Sequence, residues 1–108
     1  MAVDTAPIFD PEKLRRHTMG DAAMQVEVLS LFVAEAERLM RQVEEAGDSQ
    51  MRAERLRALV ALARNIGAMR LVQQARLAEQ HVGEGAPDLE DVRAALSDTL
   101  AHVHRSGV

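Results

Sequence analysis

Apolar residues recur along most of this chain at three- and four-residue intervals, the period of a helix with one buried stripe. Asp10, followed by Pro11 and Glu12, is an N-cap with proline at the first helical position, and it predicts a short helix through about His17. Gly20-Asp21 caps a long second helix ending near Gly47, with Val28, Leu29, Phe32, Val33, Ala36, Leu39, Met40 and Val43 on its apolar side. That stripe is wide enough to touch two neighbours. Asp48-Ser49 caps a third helix that buries Leu56, Leu59, Ala63 and Ile66, and Gly67 interrupts it. A fourth presents Ala68, Leu71, Ala75, Ala78 and Val82. After a loop at Gly83–Pro87, a last helix starts at Asp88, with Asp91 three residues on. It buries Leu89, Val92, Leu96, Leu100 and Val103 and runs to about His104.

No segment alternates with the period of a strand, and no internal repeat is visible. Four amphipathic helices of about 15 to 27 residues joined by short turns predict an all-α, antiparallel four-helix bundle with a short additional N-terminal helix. The whole chain, 1–108, reads as a single domain, with 1–9 a flexible N-terminal segment.

Composition sharpens this reading in three ways. Phe9 and Phe32 are the only aromatic residues, so the core must be built from Leu, Val, Ala and Met, which suits helix on helix. The absence of cysteine excludes disulfides and thiolate metal sites. No apolar run approaches the ~20 residues of a membrane span, and MAVDTAPIFD lacks the basic flank of a signal peptide. The expected location is therefore the cytoplasm, without membrane attachment.

Charge is unevenly distributed. Residues 52 to 76 hold six arginines (Arg52, Arg55, Arg57, Arg64, Arg70 and Arg76) against one acid, Glu54. That segment is net +5, which leaves −9 elsewhere in a chain of net −4. Such asymmetry steers an acidic partner toward one region.

The segment RALVALARNIGAMRLVQQARLAE, Arg57 to Glu79, resembles the core of the histidine-containing phosphotransfer (HPt) domain. That family shows a pattern close to H-x-L-K-G-[SA]-[AS]-x-x-[LI]-G-A, then a helix bearing a leucine and a glutamate. Leu59, Ala63 and Ile66-Gly67-Ala68 match the pattern, and Leu71, Ala75 and Glu79 match the following helix. Upstream, Gly20-Asp21 and Leu31-Phe32 stand where the family's second helix has its G-D start and its leucine-phenylalanine core. The likeness covers nearly the whole chain, and Gly67, Ala68, Leu71 and Glu79 are its structural motif.

The departures fall on the functional positions. Arg57 stands at the phospho-accepting histidine, Val60 at the lysine, Ala61 at the glycine and Leu62 at the small polar residue. A phosphotransfer histidine offers a neutral ring nitrogen to an aspartyl phosphate. Arginine stays protonated and cannot act as that nucleophile. Valine brings no charge to balance a phosphate. The resemblance therefore implies a phosphorelay protein that binds a receiver domain of a response regulator, or a histidine kinase, without ordinary phosphotransfer. The expected contact surface is Arg57, Val60, Ala61 and Arg64, on a stripe beside the buried face.

Two other readings stand beside this one. Phosphate could enter on a displaced histidine among His17, His81, His102 and His104, although none has a lysine and glycine at the family's spacing. The chain could also be a helical interaction module outside phosphorelays that docks an acidic protein or a nucleic acid on its arginine-rich face. Scarce aromatics and net acidity count against nucleic acid. His102 and His104, two residues apart, point to different faces and suggest no metal pair. No phosphate loop, catalytic triad or cofactor motif is present. The scattered methionines read as packing, and a monomer is expected.

Overall fold

The structure is a computed structural model that describes residues 6–85 and 88–106. It is all-helical, with α1 at Pro11–His17, α2 at Ala22–Glu45, α3 at Ser49–Ile66, α4 at Met69–Gln80 and α5 at Glu90–Arg105, and no strand among the described residues. In sequence order each helix from α2 onward packs on the next, α5 returns to α2, and α1 lies on α3.

Aspartate sets the helix starts. The Asp10 carboxylate accepts the Glu12 N–H at 3.1 Å, Asp21 that of Met24 at 3.0 Å and Asp48 that of Met51 at 2.8 Å. Each satisfies a donor that the first turn leaves without a helical partner. The last helix begins two residues later than its expected start at Asp88. That carboxylate instead accepts the Glu90 N–H at 3.2 Å, so it closes a turn ahead of the helix. Ala86 and Pro87, the end of the expected loop, lie outside the described residues.

One core runs through all five helices. Leu14, Phe32, Met40, Leu56, Leu59, Ile66, Leu71, Val92 and Val103 are buried in it. Ala36, Ala63, Ala68 and Ala75 lose all solvent exposure, and such small side chains let helix backbones approach closely. Val28, Val33, Ala78, Val82, Leu89 and Leu100, expected inside, are partly buried against its edge. Leu31 departs from expectation: it stands 70% exposed, and only Phe32 of that pair is core. Residues 6–9 do not hang free. The Ala6 N–H donates to Gln73 Oε1 at 3.1 Å, Arg70 Nε donates to the Ala6 carbonyl at 3.0 Å, and Phe9 stacks on His102 at 4.6 Å.

The turn between α3 and α4 fixes the geometry of the rest. Gly67 has φ 83°, which lets the Ala68 N–H reach back to the Ala63 carbonyl at 3.0 Å and end α3. The Gly67 carbonyl accepts the Asp10 N–H at 2.7 Å, which ties the start of α1 to this turn. A Cβ at Gly67 would fall inside the contact distance of the Asp10 carbonyl oxygen and 3.2 Å from its carbon. Gly20, at φ 76°, has open space around it.

The two glycines therefore separate backbone strain from crowding. Gly67→Ala is expected to lower the unfolding free energy by about 2–4 kcal/mol, and Gly20→Ala by only about 1 kcal/mol. Urea denaturation followed by circular dichroism checks this, and equal losses at the two positions would contradict the crowding argument.

Candidate partner-binding surface

The four expected contact residues all lie on α3, but they do not share one environment. Arg57, Ala61 and Arg64 are exposed, at positions four and three apart that align them on one side of the helix. Val60 is 5% exposed and belongs to the core, so its expected place on the contact surface is corrected. The reason is rotational. Val60 follows Leu56 by four residues and precedes Ala63 by three, and both of those are fully buried.

Arg57 is not a loose surface charge. Its Nε donates to Glu79 Oε2 at 2.9 Å, with the arginine side chain 64% exposed and the glutamate 26%. Arg57 and Glu79 stand at similar distances before and after Gly67, so the α3–α4 turn brings them opposite each other. The sequence singled out both residues without pairing them. Counting outward from Gly67 on two consecutive helices would have found the pair.

The arginine-rich segment resolves into separate tasks. Arg52 donates to the Val43 carbonyl at 3.3 Å through Nε and to the Ala46 carbonyl at 2.9 Å through Nη2, so it caps the end of α2. Arg70 holds the Ala6 carbonyl, and Arg57 pairs with Glu79. The net +5 of residues 52 to 76 is thus spread over several surfaces of the molecule.

Arg64 instead has basic company from outside that segment. Together with Asn65 it faces Lys13, Arg16 and His17 of α1 across a groove of about 330 Å³. None of the α1 residues entered the expected contact surface, because only the fold brings them to α3.

The four histidines fall into different settings. His17 ends α1 and lines that groove. His81 sits at the C-cap of α4, its Nδ1 2.7 Å from Glu84 Oε2. His102 is half-buried beneath Phe9, and His104 is exposed on α5. No group of three or more His, Cys, Asp or Glu side chains converges to hold a metal among the described residues. No described helix is long and apolar enough to cross a membrane.

Comparisons with protein-family models, with curated proteins and with solved structures gave no match to this chain.

The division of labour among the arginines is measurable. Arg52→Met strands two carbonyls at a helix end and is expected to cost about 1–2 kcal/mol. Arg57→Met removes one exposed ion pair and is expected to cost less than about 1 kcal/mol. Chemical denaturation of the two variants gives the order, and a larger loss at position 57 would make Arg57 a structural residue.

Proposed function

We propose that this chain is an HPt-like protein of two-component phosphorelay signalling that binds without transferring phosphate. In this reading α2 to α5 form the antiparallel four-helix bundle of that family, with α1 as the additional short helix. The protein works in the cytoplasm. Its partner is the receiver domain of a response regulator or a histidine kinase, met through Arg57, Ala61 and Arg64.

The observation that carries the proposal is the state of position 57. The family's reactive residue belongs on an exposed stretch of this helix, ahead of an apolar-Gly-Ala turn. Here that turn is kept, as Ile66-Gly67-Ala68, and the residue is an exposed arginine paired to Glu79. A guanidinium has no free lone pair at neutral pH to attack an aspartyl phosphate, but it presents a fork of donors to an acidic pocket. Position 60 supports the same reading. The family's lysine belongs there, and this chain has a buried valine that can neither reach nor balance a phosphoryl group. What remains is a shape for binding without the chemistry for transfer.

Calorimetric titration of the protein against receiver domains from the same source, each with and without a phosphoryl mimic, tests the binding. One or more receivers are expected to bind, and Arg57→Glu is expected to weaken that binding at least tenfold. Unchanged binding in that variant would remove Arg57 from the interface. No binding by any receiver or kinase would end the proposal.

A second experiment addresses the chemistry. Incubation with a phosphorylated receiver is expected to leave the native chain unlabelled. Arg57→His, which supplies an imidazole nitrogen, is expected to acquire acid-labile phosphate slowly. Labelling of the native chain would place transfer on one of its own histidines instead.

A further inference from the structure

The Asp10–Gly67 hydrogen bond lays α1 across the C-terminal end of α3 and brings together basic residues far apart in sequence. Lys13, Arg16 and His17 stand at i, i+3 and i+4, so they share one face of α1. That face meets Arg64 and Asn65 in the last turn of α3, and the five residues line one open groove. None of the five is acidic.

Glu12, the only acid of α1, is held mainly by Arg15, outside the groove, and balances Arg16 only at longer range. Its carboxylate accepts from Arg15 Nε at 3.0 Å and from the same guanidinium's second nitrogen, and it lies 3.9 Å from Arg16. The hydrogen bond from Arg15 is the main reason its carboxyl sits below the usual carboxylate range. Three fixed positive charges, Lys13, Arg16 and Arg64, line the groove, with Glu12 near one of them, on a chain of net −4.

Helix dipoles account for part of this, since basic residues are favoured in the last turns of helices. They do not account for Lys13, which lies in the first half of α1, or for cations of two helices facing one another. Like charges held close repel unless an anion lies between them.

We propose that this groove docks an acidic protein segment, with Lys13 and Arg16 on one side and Arg64 and Asn65 on the other. Several spaced carboxylates suit it better than one small ion, because its cations are spread over two helices and remain open to solvent. Nucleic acid suits it less, because no Phe, Tyr or Trp lines the groove and His17 is its one ring for stacking a base. The site is distinct from Arg57, and it stands whether or not the phosphorelay reading holds.

The probe is a fluorescein-labelled hexaglutamate peptide titrated with the full chain, followed by anisotropy at low and at moderate salt. Saturable binding that weakens with salt is expected. The double variant Lys13→Glu/Arg16→Glu is expected to lose at least tenfold in affinity, and the neutral variant Arg64→Gln a few-fold. Arg76→Glu/Arg105→Glu makes the same charge change away from the groove and is expected to cost less than threefold. Arg57→Glu is likewise expected to stay within threefold, although it should weaken receiver binding at least tenfold. Circular dichroism establishes that each variant is folded, and Arg64→Gln alone decides if the double variant is not. The proposal is overturned by the absence of saturable peptide binding or by equal losses in the groove and control variants. Tighter binding of a labelled 20-nucleotide single strand than of the peptide would also overturn it.

Discussion

One backbone hydrogen bond, from the Asp10 N–H to the Gly67 carbonyl, decides much of what this molecule presents to its surroundings. It needs a residue without a side chain at the α3–α4 turn, because the Asp10 backbone occupies the space a Cβ would take. It also needs the chain to enter α1 extended, and Asp10 does so while its carboxylate caps the same helix. Once formed, it fixes α1 against α3, buries Leu14 and sets the basic face of α1 beside Arg64. A short helix of seven residues has little stability of its own, so its position depends on this tie and on Leu14.

The arginines show how misleading a charge count is without geometry. Six of them in one segment read as a single positive face, yet two of them hold backbone carbonyls and a third pairs with a glutamate. A guanidinium suits such work because it carries several donors in a plane and never loses its charge. A second basic patch arises from α1 and the end of α3, where Lys13 and Arg16 come from a helix outside the arginine-rich segment to join Arg64.

Much of the fold was legible because it rests on local signals. Asp10, Asp21 and Asp48 mark helix starts by side-chain chemistry, and Gly67 marks a stop by its backbone freedom. The misses have a common physical cause. Val60 reads as a surface residue from the sequence because a stripe's margin cannot be judged until the neighbouring helices are in place, and their packing buries it in the core. The family resemblance places Leu31 in the core beside Phe32, whereas the helical period alone leaves it off the apolar side, and one helical step of 100° carries it out to solvent. Residues 6–9 lacked any periodic pattern, and contacts with α4 and α5 hold them all the same. The Arg57–Glu79 pair and the basic groove depend on which helices meet, and that is not written in any single segment.

The Arg57–Glu79 pair also changes what an encounter at that face involves. An acidic partner approaching Arg57 would meet a guanidinium that Glu79 already holds through Nε. A partner's carboxylate would then share the guanidinium through its terminal nitrogens or displace Glu79 from it. Salt screens the internal pair as well as the incoming one, so part of its effect cancels. On the proposed reading the face would be selective by competition, favouring a partner whose acids reach the arginine in better geometry than its own glutamate does.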